Sequence, residues 1–245
     1  MKTKKQYVLA AILILLLFCF CLFVLRDQQR QSKTEITSGE ALEEMQDNYL
    51  HVSYDGKEYE ISMLGKHQLV NASIAICAVG ELRKKHFSID DNALEKGLKN
   101  TVWKARLQVV KNAKEEFNIT IPQDKVLVFD GSHNPQGATT LANAIKDLFK
   151  NKRVHLVLGI LKDKDVKGIC TILAPLANRI TCITPPSPRA MQKEELKCIV
   201  APLCKGECSM QDDIKTAVQN ALNGDCDVTI LCGSLTLFSE LQTNE

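Results

Sequence analysis

Residues 126–137 read VLVFDGSHNPQG. Four apolar residues run straight into Asp130, Gly131, Ser132, His133, Asn134 and Pro135, a crowding of polar and turn-forming groups at one point of the chain. Part of it is architecture. Asp130 and Gly131 end a strand, Asn134 suits the cap of a following helix, and Pro135 suits the first helical position, where a missing N–H is not needed. His133 has no such job. Between strand end and helix cap its ring projects into a crevice, so the chemistry on offer is that of an imidazole facing a ligand; a plain surface histidine is the alternative.

The elements around it must make that crevice. From about Leu107 onward, apolar strands VLVF, VHLVLG, RITCIT and DVTILCG alternate with helical stretches starting near Pro135, Lys164, Lys193 and Asp212. Regular alternation predicts an α/β fold with a mostly parallel, Rossmann-like sheet covered on both faces, and such sheets bind ligands at the carboxyl ends of their strands. The Asp130–Pro135 stretch is at such an end. Upstream, LHVSYDGKEYEI predicts a hairpin turning at Asp55 and Gly56. Leu69, Ala72, Ile76 and Val79 fall at helical spacing ahead of a basic last turn, and SIDDNALEKGLKN predicts a second helix with Ser88 as its cap and Asp90 and Asp91 in its first turn.

Totals exclude some functions. The formal net charge of +2 gives no reason to expect nucleic acid as a partner. Ten cysteines are many, but they are scattered through a long α/β body, which favours free thiols over a disulfide framework. Cys198, Cys204 and Cys208 match no common zinc spacing and have no histidine nearby, so no metal site is expected. Residues 7–25 hold no charge, proline or glycine and are long enough for a transmembrane helix over 1–25; a signal peptide is the rival. Lys2, Lys4 and Lys5 before it and Arg26, Arg30 and Lys33 after it leave its orientation open. Residues 26–48 read as a polar linker.

DGSHNPQGA after an apolar strand resembles the motif that opens the C-terminal domain of folylpolyglutamate and dihydrofolate synthases, the folate branch of the Mur ligase superfamily. Four further stretches fall in the same order: GKHQLVNASIA at 65–75, TVWKARLQVV at 101–110, LGILKDKD at 158–165 and CGSLTLF at 232–238. The resemblance implies that 49–101 are the end of a central ATPase domain, as a small hairpin and helical remnant, and that 102–245 are the Mur ligase C-terminal domain. It implies an ATP-dependent amide ligase in which a pteroate or folate carboxylate takes the γ-phosphoryl group and the amine of glutamate attacks the acyl phosphate. Carried over, Asn71 would bond the adenine, Arg106 would reach the ATP phosphates, Asp130 would hold the ribose, and His133 and Ser234 would position glutamate. Arg106 and His133 are then the catalytic pair. Each has a plain alternative, Ser234 as the cap of the last helix among them.

Departures matter too. Lys104 and Ala105 stand where the family usually has Pro and Gly, so the turn that aims Arg106 is expected to differ. No G-x-x-x-x-G-K-[ST] loop occurs in the 245 residues. The phosphate loop and magnesium ligands are therefore expected in an ATPase half, with a separate ATPase-domain polypeptide as the implied partner, and the chain is expected to be inactive alone. A membrane-tethered module that binds glutamate or nucleotide without chemistry, or a structural remnant, is the alternative. ATP and folate chemistry implies a membrane-anchored chain facing the cytoplasm, or a cytoplasmic one if the apolar run is an artefact.

Overall fold

The computed structural model describes residues 50–242, which divide into two compact units: 50–62 with Lys66–Thr101, and Met63–Gly65 with 102–242. The first unit opens with antiparallel strands β1 (Leu50–Tyr54) and β2 (Lys57–Ile61). Asp55 and Gly56 turn the hairpin with φ of 51° and 75°, the paired positive values that a two-residue turn of this twist needs. Helix α1 (His67–Lys84) packs on β1 and helix α2 (Asp91–Asn100) on β2. Val52, Tyr59, Ile61, Leu69, Ala72, Ile76 and Leu94 are buried there. The cap of α2 is Asp90, which accepts the Ala93 amide at 2.6 Å, not Ser88. Its charged oxygen satisfies an otherwise orphaned N–H and meets the positive end of the helix.

The second unit carries β3 (Gln108–Val109), α3 (Ala113–Phe117), β4 (Val126–Asp130), α4 (Pro135–Leu148), β5 (Val154–Leu158), α5 (Val166–Leu173), β6 (Arg179–Cys182), α6 (Lys193–Val200), β7 (Glu207–Met210), α7 (Ile214–Leu222), β8 (Val228–Cys232) and α8 (Thr236–Gln242). Its sheet runs in the order β3-β4-β8-β5-β6-β7, and every pairing is parallel except β3 with β4. This is the mostly parallel α/β sheet. On one face Leu127, Phe129, Val157 and Leu231 join Phe117, Ala217, Val218 and Leu237 in a single apolar cluster. The Phe129 ring lies 5.3 Å from that of Phe117 and 5.1 Å from that of Phe238, at angles suited to aromatic contact.

The amino ends of the strands are polar. Arg153 and Arg179 both pair with Asp225, at 2.7 and 2.9 Å, and Arg179 also reaches Glu207 at 2.7 Å. These groups are partly exposed, so solvent screens each pair and each contributes little to stability. Just inside, buried His155 on β5 shares a 2.8 Å hydrogen bond between Nε2 and Thr181 Oγ1, while its Nδ1 has no partner. Burial, reinforced by Arg179 and opposed by Asp225, pushes its pKa down to about 4.

One part of the expected architecture is corrected. Among the described residues no helix is long and apolar enough to cross a membrane, and residues 7–25 themselves lie outside the described residues. The longest described helix, α1, carries Gln68, Asn71, Glu81, Arg83 and Lys84, which bilayer hydrocarbon does not tolerate. The transmembrane element leaves the fold description. The membrane as partner through residues 7–25 and the membrane-anchored localisation leave with it.

Candidate functional site

The carboxyl ends of β4, β8 and β5 meet at the site. Their convergence requires close backbone approach: Gly233, just past β8, has φ 104°, and a Cβ there would lie 2.4 Å from the Gly159 carbonyl oxygen. Only glycine fits both the angle and the space. At the end of β4, Asp130 is 7% exposed and both of its carboxylate oxygens accept hydrogen bonds. Oδ2 accepts the Leu107 amide at 2.9 Å; Oδ1 accepts the Ser132 amide at 2.9 Å and the Ser132 hydroxyl. Gly131 donates its N–H to the Ala105 carbonyl at 2.7 Å.

These bonds hold residues 105–107 against the strand end, where β3 continues the antiparallel pairing. Arg106 is bracketed. On either side of it Ala105 and Leu107 are buried and have φ of 57° and 45°. Each is an L-residue in left-handed backbone, at a cost of about 1–2 kcal/mol. With both neighbours turned inward, Arg106 is half-buried, and its guanidinium has no ion-pair or hydrogen-bond partner among the described residues. Lys104 and Ala105 therefore do not abolish the turn: alanine takes a conformation that glycine takes more cheaply.

His133 is half-buried, and its Nδ1 lies 2.8 Å from the Gly131 carbonyl oxygen. A carbonyl can only accept, so Nδ1 carries the proton and donates; in the neutral ring Nε2 is left as an acceptor. Asn134 caps α4 by accepting the Gly137 amide at 2.7 Å, and Pro135 occupies the first turn. Ser234 is 2% exposed. Its Oγ is 2.9 Å from Thr236 Oγ1 and accepts the Thr236 amide at 3.3 Å, so in this conformation it serves the start of α8. Leu235 covers Gly131, with its Cδ2 2.2 Å from where a Cβ would stand.

Asp130, Arg106 and His133 are thus joined through Gly131 and Ala105, and β4–β8 pairing sets Asp130 beside Cys232, two residues before Ser234. Asn71 belongs to the first unit. It is exposed on α1, and its Nδ2 donates to Gln68 Oε1 at 2.9 Å. Sequence reasoning missed Ser132 and the Leu107 amide as partners of Asp130. The Asp-x-Ser spacing signals the first, because an aspartate readily bonds backbone and hydroxyl two residues on; nothing local signals the second. An unpaired, half-buried guanidinium between two fixed backbone bonds is suited to a phosphate or carboxylate. Among the described residues no group of three or more His, Cys, Asp or Glu could hold a metal.

Comparison with known proteins gives a consistent result. The glutamate ligase domain of the Mur ligases matches residues 105–235, more than half of the chain. The dihydrofolate synthase/folylpolyglutamate synthase of Bacillus subtilis strain 168 is 27% identical over 187 residues, covering 76% of this chain and 41% of that protein. Folylpolyglutamate synthase of Lacticaseibacillus casei is 26% identical over 199 residues, covering 79% and 42%. Among solved structures, folylpolyglutamate synthase from Thermotoga maritima aligns with TM-score 0.59 and 26% identity over 77% of this chain and 42% of that one. The Mycobacterium tuberculosis enzyme complexed with ADP and AMPPCP aligns with TM-score 0.62 and 23% identity over 77% and 43%, a likeness of fold. The chain spans less than half the length of these relatives. With the same domain matched in sequence and in fold, the chain belongs to the Mur ligase family, on its folylpolyglutamate and dihydrofolate synthase side.

Proposed function

We propose that the chain supplies the glutamate ligase half of an ATP-dependent carboxylate–amine ligase acting on a folate or pteroate. The γ-phosphoryl group of ATP passes to the substrate carboxylate, giving an acyl phosphate and ADP. The amino nitrogen of glutamate then forms the amide bond as the acyl–phosphate bond breaks, releasing phosphate and a proton. Arg106 meets phosphate oxygens and Asp130 the ribose through its remaining lone pair. His133 accepts from the incoming ammonium or amine through Nε2, and Ser234 helps to orient glutamate. Holding a charged phosphate and an amine in fixed register accounts for much of the barrier lowering in such a transfer.

The observation that carries this reading is Arg106: a half-buried cation, aimed by its neighbours and lacking any partner among the described residues. Phosphate-loop residues and magnesium ligands are assigned to an ATPase domain, since the 245 residues contain no G-x-x-x-x-G-K-[ST] pattern. The test mixes the full chain with a separately expressed ATPase domain and follows ATP- and glutamate-dependent ligation of dihydropteroate and of a reduced folate. Turnover by the mixture and not by either part is expected; no turnover from the mixture sinks the proposal. The second reading is a module that binds glutamate or nucleotide without chemistry. Calorimetry separates the two: micromolar binding by the chain alone, with no turnover in any mixture, supports the module.

A further inference from the structure

We infer that Asp130 is the positioning residue for Arg106, its carboxylate latching the 105–107 turn to the end of β4 and so fixing where the guanidinium stands. Its importance for catalysis rests on the ligase reading above; the latch itself does not. Two bonds bracket Arg106, Gly131 N–H to the Ala105 carbonyl on one side and Leu107 N–H to Asp130 Oδ2 on the other. Both flanking residues are in left-handed backbone. Strained residues persist only where surroundings over-determine them; the Ala105 amide also donates to Gln108 Oε1 at 2.9 Å within the turn, and of the two bonds that tie the turn to the end of β4 only the second depends on a side chain. That carboxylate is itself immobile, because Ser132 engages Oδ1 through both its amide and its hydroxyl.

The side chain of Arg106 has no partner of its own among the described residues, so its backbone sets its direction. An unlatched turn would let Ala105 and Leu107 relax to negative φ, and the guanidinium would swing with them. Asp130 therefore acts on the phosphate end of the site through Arg106, whatever it also contributes to a ribose.

Amide hydrogen exchange and trypsin cleavage of the full chain test this without any ligand. In the wild type the Leu107 amide should exchange at least about 100-fold more slowly than that of Arg106, as a buried bonded amide does. Asp130→Ala should erase that difference and speed cleavage of the Arg106–Leu107 bond at least about tenfold, with circular dichroism unchanged. Asp130→Asn, which keeps one acceptor oxygen, should restore part of both. Ser132→Ala, which removes one of the two bonds that fix the carboxylate, should lower the Leu107 protection by about threefold or more but by less than Asp130→Ala does, and unchanged protection would overturn the role given to the carboxylate. An unprotected Leu107 amide in the wild type, or a folded Asp130→Ala chain cut no faster than wild type, overturns the latch. Should Asp130→Ala not fold, exchange in the wild type and in Ser132→Ala decides. None of these measurements uses ATP, glutamate or folate, so the ligase reading and the latch fail separately.

Discussion

The ring of His133 is tied back to its own strand end: Nδ1 donates to the carbonyl oxygen of Gly131, 2.8 Å away. That bond fixes the tautomer and leaves Nε2 as the acceptor of the neutral ring. Nitrogen chemical shifts of the neutral ring should therefore show the proton on Nδ1. In the reconstituted ligase, His133→Ala should raise the KM for glutamate and cut kcat/KM about 100-fold. An unchanged KM for glutamate would remove His133 from the substrate site.

Arg106→Lys keeps a positive charge and loses the planar fork. A lysine ammonium is a point charge on a flexible stem, so it cannot make the paired bonds a phosphate accepts from arginine. Nucleotide affinity of the reconstituted protein should fall about tenfold, or about 1.4 kcal/mol, with the melting temperature of the chain unchanged. Calorimetry with ADP measures the first and a thermal melt the second. Equal affinity would place the phosphates elsewhere.

Ala105→Gly should stabilise the chain. Relief of left-handed strain is worth about 1–2 kcal/mol, and the extra freedom glycine gives the unfolded chain takes back roughly 0.5–1 kcal/mol. The net gain is about 0.5–1 kcal/mol. Leu107→Gly relieves the same kind of strain but removes a buried side chain, a loss of at least about 2 kcal/mol, so it should destabilise. Urea midpoints of the two variants should move in opposite directions.

His155 makes stability depend on pH. Its folded pKa, about 4, lies below the ordinary 6.5, so the unfolded chain binds its proton first as pH falls. The contribution is fully present above about pH 6.5 and is lost as pH falls toward 4. Its size is on the order of 3 kcal/mol. Denaturation at pH 7 and at pH 4.5 should show the loss in the wild type and a smaller one in His155→Gln. The same pH slope in both would assign the effect to other groups.

Much of the second unit was legible because its strands β4, β5, β6 and β8 are mostly apolar, as strands covered on both faces tend to be. β7 was not, since Glu207–Met210 is a half-exposed edge with Cys and Ser in it, and β3 is two residues long. The Asn134 cap and Pro135 at the start of α4 follow from local rules and were read directly. Asp130 shows the limit: its bond to Leu107 spans 23 residues and depends on a turn that no local pattern specifies. Ser234 shows another, because a hydroxyl in a Gly-Ser turn can face a ligand or its own helix, and here it faces Thr236. The apolar run at residues 7–25 reads clearly as a composition, and it lies outside the described residues.

The arginine–acid pairs gathered around Asp225 sit at the opposite ends of the strands from Arg106, Asp130 and His133. Along β5 that separation is the full length of a strand, roughly 17 Å at about 3.3 Å per residue. Thermal tolerance and ligand chemistry can therefore drift independently in this domain. Charge changes around Arg153, Arg179 and Glu207 leave the Arg106, Asp130 and His133 end of the sheet untouched.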